Sequence, residues 1–419
     1  MYLRKDKNRY RFVVQSLLIF DRGCISLIYS LAGPLMPLIM QEFGITQGAA
    51  GWFASSAPLT VAIVAVPIAI VGARYSLKKT FAVGALLQVA GILVPFIHSY
   101  IPLLLTRVLF ACGTAIMVPA ASAITAGWFN RRELTLVNGI TVSFTNLTGA
   151  VAYLATVPLA LALSWRAPMM IYALVAFTGA VAWIIFGKER AKEKGISEEG
   201  KSSEREVKPE QSVRQALTQR STILIALAVM GSWGLAGVMG AWLPTYFHEV
   251  FGMPLQQASS ITAITMGTGI VISVIGGILP QRLGRRKPFL IIPGVFMGLT
   301  ALCAVLFNNL AVIILMVVLF GIFSGLQIPT LYTLPFELPN ATPRTGAFVM
   351  FALQCGGNFG TFMGPLITGY LADLTGSYLP GIIIFAVFSL SLLVAGLMLP
   401  ETGPAARRGS SKAEADEVA

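Results

Sequence analysis

Three charged residues lie inside long apolar runs: Asp21 and Arg22 in "LLIFDRGCISLIYS", and Arg107 in "LLLTRVLFACG". A charge near the middle of a bilayer costs at least about 2.5–3.5 kcal/mol, so such a group is a functional candidate by default. An arginine at that depth offers a forked cation to an anionic group, and a carboxyl group can take up or release a proton. Neighbours on a helix point about 100° apart, so Asp21 and Arg22 cannot simply face one another; Arg22 is expected to snorkel towards the near interface. Polar and aromatic residues midway along other runs complete a candidate substrate site around Arg107, namely Tyr29, Asn146, Trp233, Gln327, Gln354 and Asn358. A pocket needs apolar walls and a few convergent polar groups, although each of these residues also suits helix-to-helix hydrogen bonding. The 2 histidines are far apart and the 4 cysteines show no metal or redox spacing, so neither a metal nor a cofactor is expected.

A second kind of chemistry is concentrated in "GGILPQRLGRRK", Gly276 to Lys287, where a glycine-rich helix end meets a basic cluster. Its arginines can bond carbonyls at neighbouring helix ends and hold a gate, or they can simply anchor topology.

These residues must be positioned by membrane helices. The 419 residues are 56% hydrophobic and 11% charged, against about 25% charged in soluble domains. The net charge of +12 falls between apolar runs, not in a patch with interleaved aromatics, which excludes nucleic acid as a partner. Twelve runs are long enough to cross about 30 Å of hydrocarbon, near 12–40, 48–72, 80–98, 101–126, 135–163, 167–187, 220–248, 255–280, 288–307, 309–335, 345–373 and 378–399. Lipid offers no partners to backbone groups, so these are helices. The basic N-terminus leads into the first run without a small-residue cleavage site, so that run is expected to be retained. Nearly all of the 30 Lys and Arg then fall on the side of both termini, which places the termini in the cytoplasm of a plasma (inner) membrane protein. The expected division is a six-helix bundle over 1–187, a charged cytoplasmic linker over 188–219, a second bundle over 220–400 and a polar tail over 401–419.

The halves read as repeats. "PLIMQEFGITQGAA" from Pro37 aligns with "PTYFHEVFGMPLQQAS" from Pro244, "ARYSLKK" from Ala73 with "QRLGRRK" from Gln281, and "RVLFACGTAIMVP" from Arg107 with "VVLFGIFSGLQIP" from Val317. Two related six-helix bundles around a midplane site form a transporter architecture.

"GGILPQRLGRRK" resembles the signature of the major facilitator superfamily, through Gly277, Arg282, Gly284, Arg285 and Arg286, with Gln281 where the family has Asp. "TRVLFACGTAIMVP" resembles its fourth-helix motif, and Pro335, Glu337, Arg344 and Gly346 in "PFELPNATPRTG" resemble its pattern after the tenth helix. The fifth helix lacks the Gly-Pro of drug/proton antiporters. Within the superfamily, "GPLMPLIMQEFGIT", "VPLALALSWR" and "QCGGNFGTFMGPLITGYLADLTGSY" look like segments of the cyanate permease and 2-nitroimidazole transporter group. An adjacent Asp-Arg early in the first helix is similar to the anion:cation symporters.

The resemblance implies an all-α membrane protein of twelve helices in two pseudo-symmetric bundles, a monomer that moves a small-molecule substrate by alternating access. The expected function is secondary transport of a small organic or inorganic anion, driven by a proton or solute gradient. Drug/proton efflux is the runner-up, and a non-transporting sensor comes behind it. No Gly-Lys-Ser/Thr phosphate loop and no clustered acid or base residues point to an enzyme. Arg107 is expected to bind the substrate's negative group and Asp21 to carry the coupled proton, with the two side chains nearly bridging.

Overall fold

The structure is a computed structural model that describes residues 2–72, 74–189, 219–338 and 342–403. Most of the 188–219 linker, the tail beyond Gly403, the loop residues 339–341 and Ala73 of the first-half basic motif lie outside the described residues.

The described chain is helical and contains no strand. The first half comprises α1 (Tyr2–Ser30), α2 (Ala32–Phe43), α3 (Gln47–Gly72), α4 (Leu77–Gln88) with a 3-10 extension over Val89–Phe96, α5 (Tyr100–Trp128), α6 (Arg131–Ala162) and α7 (Arg166–Phe186). The second half comprises α8 (Arg220–Glu249), α9 (Leu255–Leu283), α10 (Pro288–Leu306), α11 (Leu310–Leu326), α12 (Ile328–Glu337), α13 (Pro343–Thr375), α14 (Leu379–Phe388) and α15 (Ser391–Met398). Three crossings are made of two helices in series: α1 with α2, α11 with α12, and α14 with α15. Twelve crossings result. Among the described residues, 11 segments have the length and hydropathy of a membrane span. The twelfth crossing, α13, runs for 33 residues but carries Gln354, Asn358, Thr361 and several glycines, because much of it faces protein instead of lipid.

Sequence chemistry sets the helix ends. Asn130 and Glu133 form a reciprocal cap that starts α6, and Thr342 with Thr345 does the same for α13. The aligned Phe-Gly pairs end in Gly44 at φ 60° and Gly252 at φ 65°, a left-handed backbone that glycine adopts without steric cost. A second correspondence lies at the third crossing of each half. The Lys78 amide donates to Glu189 (3.1 Å) and the Arg286 amide donates to Glu401 (2.6 Å). Lys78 and Arg286 are aligned in the repeat, and each acid follows the last helix of its half, so two distant carboxylates cap equivalent helix starts.

The halves meet along three pairs of helices: α3 on α13, α6 on α9, and α2 on α8. Glycines permit the closest approach, since a Cβ on Gly33 would strike the Gly240 carbonyl. Hydrogen bonds across the seam gather at mid-depth and on the side away from the chain termini. They join Tyr153 to the Gly240 carbonyl (2.7 Å), Ser143 to the Ile270 carbonyl (3.4 Å), Gln256 to the Leu154 carbonyl (3.2 Å), Trp52 to Tyr370 (3.2 Å) and the Gly48 amide to Asp373 (2.9 Å).

Candidate functional site

A cavity of about 300 Å³ lies on the seam at mid-depth, lined from both halves. Tyr29 on α1 and Asn146 and Tyr153 on α6 form one wall; Trp233 on α8, Gln327 at the α11–α12 break and Thr361 on α13 form the other. Four of the residues expected from sequence, Tyr29, Asn146, Trp233 and Gln327, are therefore brought together. Pro329 has no amide hydrogen to continue the helix across the Gln327 break. Gln327 is 1% exposed, with its amide nitrogen on the Met297 sulfur (3.2 Å) and its oxygen without a partner.

Gln354 and Asn358 do not line the cavity. Gln354 lies seven residues before Thr361, about 10 Å nearer the terminal side, and accepts a hydrogen bond from Tyr332 (3.3 Å). Asn358 donates to the Gln354 carbonyl (2.9 Å). Arg22 is partly buried and lies close to Tyr332 of the other half. The reason is its register: Arg22 precedes Tyr29 by seven residues, so both lie on one face of α1. Arg22, Tyr332 and Gln354 make a polar layer one step below the cavity.

Arg107 is 1% exposed and stands outside the cavity lining, close to Tyr29. Its guanidinium donates to the carbonyls of Ile28 (2.7 Å) and Phe53 (3.3 Å), lies 4.9 Å from the Phe53 ring centroid, and keeps Nη2 without a partner among the described residues. It thus ties α5 to α1 and α3 and retains one free donor group. Asp21 is 0% exposed, neither carboxyl oxygen has a hydrogen-bond partner among the described residues, and it packs against Gly179 of α7. The expected bridge from Asp21 to Arg107 is absent in this conformation. Arg107 bonds α1 at Ile28, two turns beyond Asp21, while Asp21 points towards α7.

The basic motif is divided in its roles. Arg286, 5% exposed, makes two bonds to Glu337 (2.8 and 3.0 Å) at the end of α12. Glu401 accepts from the Arg286 and Lys287 amides (2.6 and 3.2 Å), and Lys287 donates to the Leu397 carbonyl (3.1 Å). Gly284 ends α9 at φ 66°. Arg282 and Arg285 are exposed, and Gly277 faces open space. The bonds formed here join helices of the second half to one another.

A second recess, about 330 Å³, opens on the side away from the termini beside Gln47, Glu249 and Tyr378. Tyr378 donates to Glu249 (2.7 Å). This recess lies at the outer edge of the seam, away from Arg22 and Arg107.

Of two residues that were missed, sequence spacing contained a signal for one. Tyr153 follows Asn146 by seven residues, as Tyr29 follows Arg22, and each pair shares a helix face. Nothing local in "IPTLYTLP" marks Tyr332, whose neighbours come from α1 and α13.

Comparison with known proteins agrees with this architecture. The chain is 24% identical over 382 residues to a probable sulfoacetate transporter, SauU, of Cupriavidus necator, covering 87% of this chain and 88% of that protein. It is 22% identical to a hexuronate transporter of Bacillus subtilis, covering 88% of each. It is also 22% identical to a probable nitrate transporter, NarT, of Staphylococcus haemolyticus, covering 92% of this chain and 95% of that one. A crystal structure of a bacterial homolog of the human lysosomal transporter Spinster, inward-facing and unoccupied, superposes with a TM-score of 0.73 at 16% identity, covering 93% of this chain and 94% of that one. The nucleoside transporter NupG gives 0.73 at 13% identity, covering 93% and 99%; these two likenesses concern the fold alone. A model of the Major Facilitator Superfamily matches residues 20–354 and 270–418, and the chain, a multi-pass membrane transporter, belongs to that superfamily.

Proposed function

We propose that the protein moves a small organic or inorganic anion across the membrane by alternating access, with the seam cavity as its binding site. The carrying observation is that two arginines at membrane depth, Arg22 and Arg107, flank a cavity with uncharged polar and aromatic walls, and neither forms an ion pair among the described residues. An anion supplies the missing partner. Its negative group reaches the free Nη2 of Arg107 when Tyr29 moves aside, or meets Arg22 below the cavity, and Asn146, Tyr153, Gln327 and Trp233 hold its body. Gln354 and Asn358 serve the path between Arg22 and the terminal side. The volume lies at the lower end of small-molecule sites, about 300–1,000 Å³, which favours a compact solute. The relatives named for sulfoacetate, hexuronate and nitrate support an anion. Placement in the cyanate permease and 2-nitroimidazole transporter group rests on the three segments quoted above.

Coupling belongs to the same proposal. A notch without cation or donor suits a carboxyl group that holds its own proton, and Asp21 occupies such a notch beside Gly179. Asp21 carries the coupled proton and exposes it when the halves rock. The protein acts as a monomer in the plasma (inner) membrane with both termini cytoplasmic, so the side of the seam joined by the Gly48–Asp373 and Trp52–Tyr370 bonds faces outwards. The arginines of the basic motif steady the second half as it moves.

The test is binding followed by transport. Purified protein is screened for thermal stabilisation by sulfoacetate, glucuronate and nitrate, and the stabilising anion is followed into proteoliposomes. Arg22→Gln and Arg107→Lys are each expected to weaken binding about tenfold or more, the scale of a lost charge-assisted hydrogen bond. Stabilisation by amphipathic cations and by no anion would replace this reading with drug efflux.

A further inference from the structure

The side of the seam away from the termini is fastened by an unusual helix cap. The first turn of α3 begins after Thr46, whose carbonyl and hydroxyl accept from the Ala50 (2.9 Å) and Ala49 (3.4 Å) amides. The Gly48 amide is left over, and its acceptor comes from the other half, the Asp373 carboxylate near the end of α13 (2.9 Å). A negative group at a helix start is favoured by the exposed amides and the helix dipole. One turn on, the Trp52 indole donates to the Tyr370 hydroxyl (3.2 Å). Glycines let the surfaces close: a Cβ on Gly48 would lie 2.6 Å from the Asp373 carboxylate, one on Gly51 3.0 Å from the Pro365 carbonyl, and one on Gly369 2.5 Å from the Gln47 carbonyl. The pseudo-symmetric seam, α9 on α6, is fastened at the same side by the neutral Gln256 amide on the Leu154 carbonyl (3.2 Å).

We propose that Asp373, capping α3 across the seam with Tyr370 on Trp52 beside it, is the latch that holds this side shut, and that it dominates over the neutral seam of α6 and α9. Opening the side separates the carboxylate from the Gly48 amide and leaves both to water. The latch is independent of which solute is carried.

The test uses the full chain with Cys24, Cys112, Cys303 and Cys355 replaced by alanine and a reporter, Met266→Cys, in the cavity wall. An impermeant maleimide is applied to oriented vesicles from the side away from the termini. Asp373→Ala should speed labelling about five- to tenfold, the scale of a lost helix cap. Asp373→Asn, which keeps an acceptor and loses the charge, should fall between it and the parent, and Gln256→Ala should change labelling less than either. Labelling from the terminal side verifies that each variant is folded; should Asp373→Ala fail that check, Asp373→Asn and Trp52→Phe decide. Variant rates equal to the parent, or a larger effect from Gln256→Ala, would overturn the latch.

Discussion

Asp21 lies where α7 yields space at Gly179, which leaves room for its carboxyl group inside the first half. The proposed proton role predicts that Asp21→Asn, nearly isosteric and unable to titrate, retains solute exchange across the membrane and loses accumulation driven by a pH gradient. Counterflow and pH-jump uptake in the same proteoliposomes measure the two separately, and undiminished pH-driven accumulation would end the role. The notch has its own consequence. A methyl group added at Gly179 meets the Asp21 carboxyl, and overpacking of this kind costs about 1–3 kcal/mol. Gly179→Ala should therefore lower the melting temperature, whereas Gly277→Ala, inside α9 and facing open space, should leave it unchanged or raise it, since alanine favours the helix over glycine. Part of this scale was legible: a charge in an apolar run identifies itself by its cost, and Asp21 and Arg107 are both buried. The direction in which each side chain points was less so. Arg22 and Asp21 are adjacent in sequence yet serve different surfaces, and only the seven-residue step from Arg22 to Tyr29 held the clue.

At the scale of elements, the basic loop after α9 shows how a motif becomes a clamp. Its cluster of cations was plain in the sequence, but its acceptors are Glu337 and Glu401, the latter 115 residues from Arg286, and no spacing rule connects them. The structure therefore separates residues that look equivalent in "RLGRRK". Removing the Arg286 side chain leaves Glu337, 20% exposed at its side chain, without its cation, and breaking such a pair costs up to about 3 kcal/mol. Arg285 is exposed, and substitutions at such positions stay within about 0.5 kcal/mol. Arg286→Ala should thus lower thermal stability clearly and Arg285→Ala hardly at all, measured by melting in detergent. Equal losses in both variants would return the motif to a collective role in which charge alone matters. The same scale explains α13. Its glycines and amides lower its hydropathy because it packs on α8 and α3, so its polarity marks a seam helix and does not argue against a crossing.

For the whole molecule, two repeats that share their turns and caps meet along α3–α13, α6–α9 and α2–α8. The repeat was readable from aligned Phe-Gly pairs and basic loops, and Gly44 and Gly252 adopt the matching left-handed backbone. The conformation was not readable, because one sequence must support closure on either side and the bonds that choose between them, such as Gly48 to Asp373, join distant segments. Orientation rests on cation asymmetry, which predicts that the Lys and Arg side lies in the cytoplasm. Single cysteines in a cysteine-free chain measure this directly. Ser203→Cys, in the charged run joining the halves, should react with impermeant maleimide only after the membrane is permeabilised. Ser99→Cys, exposed before α5 on the other side, should react in intact cells. The reverse pattern would turn the molecule over and make the fastened side cytoplasmic, while reaction of both residues in intact cells would contradict the three crossings, α5 to α7, that separate them.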